Sequence, residues 1–149
     1  MYKLICTGSS ALDDIWQDTR TKKLVIADYK SQAKTKPIQP ESYLSEPFKE
    51  GYKIQMGFYA FLLIQQRFEV DATSYFLVCN ADRGADGFYG NMSFQEALIP
   101  YSWNTDWIPK KVGEMLDLLN GNDVPASNRS CKNCAYSVRR AKFDVEFVQ

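Results

Sequence analysis

Three acids and a lysine near the N-terminus have the types and spacing of a small metal-binding site. Asp28 and Lys30 close an apolar run, and strand side chains alternate, so the two share one face. An earlier apolar segment carries Asp13 and Asp14, and the polar residues 19–23 between the segments predict a hairpin turn. If the two strands pair antiparallel, one of these acids comes beside Asp28. Paired carboxylates suit a hard divalent cation, and a lysine can stabilise negative charge.

A helix predicted over residues 48–68 supplies two further polar side chains. Gln55 and Tyr59 are four residues apart, so they lie on one face of that helix. The helix is apolar almost all round, which indicates that it is buried, and a buried glutamine needs a partner. The alternative for Gln55 is a bond to a nearby backbone group. The alternative for Asp28 and Lys30 is exposure to water at a strand end.

The rest of the chain predicts further strands and a second helix from its aromatic and β-branched runs and its glycine-rich loops. The expected elements are a strand at 2–6, a long loop at 31–46, a strand at 73–80, a hairpin loop at 81–87, a returning strand at 88–94, a helix at 103–120 and a cysteine-containing basic tail at 122–142.

Basic residues at two places are candidates for phosphate contacts. Lys34 and Lys36 follow closely behind Lys30 in the long loop. The second group lies in the tail, where no acid interrupts it, and consists of Arg129, Lys132, Arg139, Arg140 and Lys142. The alternative for the tail is a solvated basic segment.

Cys131 and Cys134 form a CxxC pair, which is half of a metal site, because zinc and iron–sulfur clusters take four ligands. Cys6 and Cys79 both fall in predicted strands. The pattern therefore favours two reduced thiols in a surface turn over a bound metal.

Composition narrows the class of protein. The 149 residues suffice for one domain, and apolar and charged fractions of 45% and 24% are those of a globular protein. Lysine plus arginine and aspartate plus glutamate both number 18, so any nucleic-acid site must be a local patch. The absence of histidine excludes imidazole-based catalysis and imidazole zinc ligands. No apolar run is long enough for a membrane span, and the cysteine spacing favours a reducing cytoplasm.

With these motifs in order, the chain resembles the PD-(D/E)xK nuclease superfamily. The resemblance is closest to its RecB-like branch, which includes CRISPR-associated RecB-type exonucleases. It covers residues 8–136 and rests on Ala11-Leu12-Asp13-Asp14, Ile26-Ala27-Asp28-Tyr29-Lys30, Gln55-Met56-Gly57-Phe58-Tyr59 and the cysteine-bearing end at 125–136.

The resemblance implies an α/β (α+β) fold with a restriction-endonuclease-like core, in which helices flank a mixed central sheet. It implies a site that binds Mg²⁺ or Mn²⁺ and hydrolyses phosphodiesters. Asp13, Asp28 and the backbone carbonyl of Tyr29 would be metal ligands. Lys30 would position or activate the attacking water, and Gln55 and Tyr59 would line the site.

The chain departs from the family pattern in three places. Ala11 stands where a glycine is common, and Asp14 beside Asp13 leaves two acids for one ligand position; the small residue at 11 favours Asp13. The family's N-terminal helix is missing, which implies a fragment of a longer protein or an incomplete site. The iron–sulfur cluster of the branch uses four cysteines, and only Cys131 and Cys134 are in place, so no intact cluster is expected.

Three functional hypotheses follow. The first is a metal-dependent nuclease, exonuclease-like, acting on DNA single strands or duplex ends, alone or within a larger polypeptide or complex. The second is a catalytically inactive nuclease fold that binds nucleic acid through the basic tail. The third is a redox or zinc module built on Cys131 and Cys134.

Overall fold

A computed structural model describes residues 11–84, 87, 89–122, 124–128 and 130–146. The chain divides into two compact units, Met1–Ile108 and Pro109–Gln149; the expectation of one domain over residues 1–149 stays a prediction. In chain order, the elements are β1 (Asp14–Gln17), β2 (Leu24–Gln32), α1 (Glu50–Gln65), β3 (Thr73–Ala81), β4 (Phe94–Ser102), α2 (Ile108–Asn120) and α3 (Lys132–Glu146), with 3₁₀ turns at Tyr43–Ser45 and Pro47–Lys49.

The first two strands form the predicted antiparallel hairpin, in which Asp14 lies opposite Ala27. Asp18 turns the chain between them. Its carboxylate accepts hydrogen bonds from the backbone N–H groups of Arg20 at 2.7 Å and Thr21 at 3.0 Å. Aspartate favours turns because its side chain can bond the backbone in this way. The polar turn therefore determines the pairing of the strands that carry the acids.

The four strands form one mixed sheet in the order β1-β2-β3-β4. β2 and β3 are parallel, whereas β1 pairs antiparallel with β2 and β4 pairs antiparallel with β3. Parallel neighbours need a crossover connection, and here α1 lies within it. The sheet and its helices confirm the predicted α+β class.

The core of the first unit lies between α1 and the sheet. Met56, Ala60 and Leu63 follow the helical repeat and are buried together with Phe76 of β3 and Ile99 of β4. A fully buried large apolar side chain contributes roughly 1.5–3 kcal/mol, so this stripe holds α1 against the sheet. None of the helices in the described parts of the chain has the length and apolarity that a membrane crossing requires.

The returning strand is β4, which begins at Phe94, so the prediction of a strand at 88–94 is wrong for residues 89–93, whereas Phe88 lies outside the described residues. Phe94–Ser102 contains Glu96 and Pro100, which strand interiors normally exclude. β4 is an edge strand of the sheet, however, and a proline is tolerated where its missing N–H has no neighbour to bond.

The helices also differ from the sequence predictions. α1 is not buried all round, because Ile54 and Ile64 are exposed. The second helix begins at Ile108 rather than at residue 103. The second half of the predicted tail is helical, since α3 spans Lys132–Glu146, a run without glycine or proline. The strand expected at 2–6 and the N-terminal region lie outside the described residues.

Candidate active site

The hairpin brings two carboxylates together beside the middle of β2. Asp28 is buried, with 2% of its surface exposed. Asp13 immediately precedes β1, and its Oδ2 accepts a hydrogen bond of 2.8 Å from the backbone N–H of Tyr29. Burial raises the pKa of Asp28; the Lys30 ammonium opposes this rise, and the neighbouring Asp13 carboxylate adds to it. Two like charges therefore share a partly dehydrated site.

Lys30 joins the acids to the helix. Its Nζ lies 2.5 Å from Asp28 Oδ2 and donates a 3.1 Å hydrogen bond to Gln55 Oε1. Gln55 Nε2 donates to the Tyr59 hydroxyl at 2.6 Å, and that hydroxyl donates to the carbonyl of Ala11 at 3.1 Å. The partners of Gln55 are thus side chains, and the alternative of a backbone bond is wrong. The chain of contacts returns to the segment that carries Asp13.

The charge and geometry of this group fit a divalent cation. Asp28 Oδ2 is fully buried and accepts no well-directed hydrogen bond from the described residues; the Lys30 contact is an ion pair outside hydrogen-bond geometry. A buried oxygen without a directed donor is costly, and a metal ion would satisfy it. In the described parts of the chain no three acidic, histidine or cysteine side chains converge. Asp13 and Asp28 would therefore need a backbone carbonyl, water or phosphate to complete a shell, as Mg²⁺ commonly uses.

Asp14 lies on the opposite face of the hairpin. Its Oδ2 accepts hydrogen bonds from the Tyr29 hydroxyl at 2.7 Å and from Trp16 Nε1 at 3.0 Å, and its Oδ1 accepts one from the Ile15 N–H at 2.8 Å. The hydrogen bond from Tyr29 contributes most to lowering the pKa of Asp14. This carboxylate already has its donors, so of the two adjacent acids the geometry favours Asp13 for the metal.

Lys49 is a charged residue of this region that sequence reasoning missed. It is 2% exposed, and its Nζ lies 3.6 Å from the centroid of the Tyr43 ring and 5.0 Å from that of Tyr52. Among the described residues, no carboxylate is within ion-pair distance of it. Burial lowers the pKa of Lys49, and the positive charges of Lys34 and Lys30 lower it further, against the opposing effect of Glu46.

A signal for Lys49 was present in the sequence. It precedes Met56 by seven residues and Leu63 by fourteen, which places it on the buried stripe of α1 when the helical repeat is extended backwards. Burial raises the pKa of Tyr43 to about 12, so that ring faces the ammonium as a neutral phenol. Cation–π contacts with such rings partly compensate for the lost hydration of the lysine.

The loop after β2 places Lys34 and Lys36 together at a surface cavity of about 360 Å³. Lys34 Nζ forms an ion pair with Glu46 at 3.2 Å, and the Lys34 backbone is held on both sides by Asn80, at 2.8 and 3.0 Å. Lys36 is exposed. Both lysines thus present their charge near the strand end that carries Lys30.

The second unit carries the other predicted phosphate contacts. Lys132, Arg139 and Arg140 are exposed residues of α3, whereas Arg129 lies outside the described residues. They are therefore presented by a helix and not by the predicted tail.

The CxxC pair lies at the start of α3. Cys131 precedes the helix and Cys134 belongs to its first turn, so the expectation of a surface turn is wrong for Cys134. The Cys134 N–H donates to Cys131 Sγ at 3.3 Å, and this bond is the main cause of a lowered pKa of Cys131. Both thiols, like Cys79, are free; Cys6 lies outside the described residues.

Comparison with known proteins gives one result. A family model for the PD-(D/E)XK nuclease superfamily matches residues 11–139, which include both acids, Lys30, the Gln55–Tyr59 pair and part of α3. Neither a search of curated proteins nor a search of solved structures found a significant match.

Proposed function

Because the chain belongs to the PD-(D/E)XK nuclease superfamily, we propose that it is a divalent-metal-dependent nuclease that hydrolyses phosphodiester bonds of DNA. The observation that carries the proposal is the connection of five side chains around a buried oxygen that lacks a directed donor. Asp28 and Lys30 of β2 and Gln55 and Tyr59 of α1 form a continuous chain of side-chain contacts. Asp13, just before β1, joins this group through its bond to the backbone N–H of Tyr29.

Each member of the group has a role that its contacts support. Asp13, Asp28 and the backbone carbonyl of Tyr29 would hold Mg²⁺ or Mn²⁺, which when bound polarises a phosphate and lowers the pKa of water. Lys30 brings a positive charge to Asp28, where it stabilises the negative charge that a phosphodiester gains in its transition state. Gln55 holds the lysine in place by accepting its hydrogen bond, and Tyr59 orients the amide of Gln55.

The finer assignment is an exonuclease of the RecB-like type that acts on single strands or duplex ends, alone or within a larger assembly. Lys34 and Lys36 beside the site, and Lys132, Arg139 and Arg140 on α3, would contact the phosphate backbone. The free thiols of the chain fit a reducing cytoplasm.

Cleavage assays with a matched pair of lysine variants test the proposal. Labelled single-stranded DNA, duplex DNA and RNA are incubated with Mg²⁺, Mn²⁺ or EDTA, and product length over time distinguishes end-directed from internal cleavage. We expect cleavage in either metal and none in EDTA. Lys30→Met should lower the rate by at least about 100-fold, because it removes the charge that stabilises the transition state.

The control is Lys23→Met, since Lys23 lies at the hairpin turn away from the acids and should leave the rate unchanged. Wild-type activity in Lys30→Met, or cleavage that persists in EDTA, would refute the assignment. DNA binding without cleavage in any metal would instead support the catalytically inactive nuclease fold.

A further inference from the structure

We propose that the cavity after β2 is a nucleotide-binding subsite for single-stranded nucleic acid, in which the Phe48 ring stacks on a base and Lys34 binds the adjoining phosphate. In the free protein the Glu46 carboxylate occupies the position of that phosphate. The inference rests on the proposed function for its biological meaning, but its contacts are separate from the catalytic group.

Phe48 has the surroundings of a base-stacking residue. It is 65% exposed, whereas the nearby Tyr43 is buried. The ammonium groups of Lys34 and Lys49 each lie 5.4 Å from the centroid of its ring. An exposed ring close to two cations offers a base a flat apolar surface and offers its phosphates positive charge, the combination by which proteins bind single strands.

The cavity that Lys34 connects to this ring has room for a nucleotide, and both polar and apolar residues line it. Its volume of about 360 Å³ falls at the lower end of the range for small-ligand pockets. Lysine, amide and hydroxyl groups line it, and the residues that matter here are Gln32, Lys34, Lys36, Ser42, Tyr43 and Glu46. The polar groups are suited to a phosphate and a sugar, and the exposed ring to the base.

The backbone of Lys34 is fixed by hydrogen bonds within the fold, whereas its side chain is exposed to solvent. Asn80, which is 5% exposed, accepts a hydrogen bond from the Lys34 N–H at 2.8 Å and donates one to the Lys34 carbonyl at 3.0 Å. The side chain is 43% exposed. Because the backbone is fixed and the ammonium group is exposed, Lys34 can exchange one anionic partner for another without disturbing the sheet.

Glu46 is the partner that a phosphate would displace. The pair of 3.2 Å between Lys34 and Glu46 is exposed on both sides, and such pairs add little to stability. Replacing the carboxylate by a phosphate therefore costs little, and the glutamate acts as a competitor of the ligand. This arrangement predicts that removing the negative charge of Glu46 strengthens binding.

The subsite is continuous with the catalytic group through a shared ring. Lys30 Nζ lies 4.5 Å from the Tyr52 ring centroid and Lys49 Nζ lies 5.0 Å from it, so the two charges are separated by less than a Debye length at 0.1 M salt. Lys49 in turn shares the Phe48 ring with Lys34. Positive charge thus extends from the catalytic lysine to the cavity, along the course that a strand leaving the site would take.

Binding measurements on the full chain test the inference. Fluorescence anisotropy with a labelled oligothymidylate in EDTA measures affinity without cleavage. Phe48→Leu should weaken binding about tenfold, since one stacked base is lost. Lys34→Gln should weaken it and reduce the slope of log affinity against log salt by about 0.7, the value for one phosphate contact on a single strand. Glu46→Gln should strengthen it several-fold.

Two matched variants serve as controls. Phe68→Leu changes an exposed phenylalanine beyond the other end of α1, and Glu114→Gln removes an acid paired with lysines on α2. Both should bind as the wild type does. An oligomer of abasic deoxyribose phosphate should bind Phe48→Leu and the wild type equally, because it offers no base to stack.

The outcomes separate this inference from the proposed function. If Phe48→Leu and Glu46→Gln bind like the wild type while cleavage still needs Lys30, the subsite is wrong and the nuclease proposal stands. Opposite shifts in binding with no cleavage in any metal would support the subsite and refute the nuclease. A change in self-association on Phe48→Leu with unchanged oligonucleotide binding would make the ring a protein contact and overturn the inference.

Discussion

The two faces of the β1–β2 hairpin carry the same kinds of residue in opposite states. On one face, Asp14 has hydrogen bonds from a phenol, an indole and a backbone N–H, and the bond from Tyr29 leads the lowering of its pKa. On the other face, Asp28 is buried beside Asp13, has an oxygen without a directed donor, and has a pKa that burial raises. Asp13 and Asp14 are adjacent in sequence yet belong to different environments.

The difference distinguishes an acid with a structural role, Asp14, from an acid whose position suits a functional role, Asp28. Asp14 meets its hydrogen-bonding requirement within the protein, as structural polar groups do. Asp28 is held in a position that opposes its own ionisation, next to a second acid, and such perturbed groups concentrate at functional sites. The following predictions test whether the two faces divide in this way.

The largest expected effect concerns the two adjacent acids. Asp13→Asn should lower metal-dependent cleavage by about three orders of magnitude, because losing a metal ligand removes several kcal/mol of transition-state stabilisation. The cleavage rate of Asp14→Asn should stay within about threefold of the wild-type rate, because the hydrogen bonds of the Asp14 carboxylate lie on the opposite face of the hairpin. Single-turnover cleavage rates in Mg²⁺ measure both. The reverse order would assign the metal to Asp14.

A smaller effect is expected from the two tyrosines. Tyr59→Phe breaks the link between Gln55 and the Ala11 carbonyl, and should lower the cleavage rate about tenfold through a less ordered Lys30. Tyr29→Phe removes a donor from Asp14 and should leave the rate unchanged. It should lower the urea midpoint of unfolding slightly, because the lost hydrogen bond is exposed to solvent.

Cleavage rates and urea denaturation of both variants provide the measurements. Equal rates for Tyr59→Phe and the wild type would remove Tyr59 from the site.

The smallest expected effect is a change in thermal stability. Its dependence on pH should have opposite signs for Asp28 and for Asp14, which lie on the two faces. Because the pKa of Asp28 is raised in the folded state, its contribution to the stability of the fold is complete at low pH. That contribution is lost as the pH rises through the folded-state pKa. In EDTA at neutral pH, Asp28→Asn should therefore raise the melting temperature by about 3 °C. The gain should shrink in acid.

Asp14 should behave in the opposite way. Its lowered pKa stabilises the fold above the unfolded-state value, and this is lost as pH falls through the folded-state value. Asp14→Asn should thus be less stable than the wild type at neutral pH, and the difference should close in acid. Melting curves of both variants across pH measure this. If the stability differences of the two variants changed with pH in the same direction, the two faces would not differ in their electrostatics.

Local sequence patterns were sufficient to predict the elements that depend only on residues close together in the sequence. The polar residues 19–23 predicted the hairpin, and the aromatic and β-branched residues of 73–80 predicted β3. β4 was missed because an edge strand tolerates Pro100 and Glu96, and no local rule says which strand will be an edge. The prediction that α1 is buried all round was wrong for a similar reason. Whether Ile54 is exposed depends on which other elements pack against that face of the helix.

From the sequence alone came the residue types of the candidate site: an acid and a lysine two apart on a strand, and a glutamine and a tyrosine four apart on a helix. Those spacings follow from the repeat of each element, so they hold wherever the element lies. Only the tertiary structure decided which of Asp13 and Asp14 meets Asp28, because that choice depends on cross-strand register.

The same is true of Lys49. The helical repeat places it on the buried stripe of α1, but the enclosure of its ammonium group by the rings of Tyr43, Phe48 and Tyr52 depends on how the chain before α1 folds onto that helix.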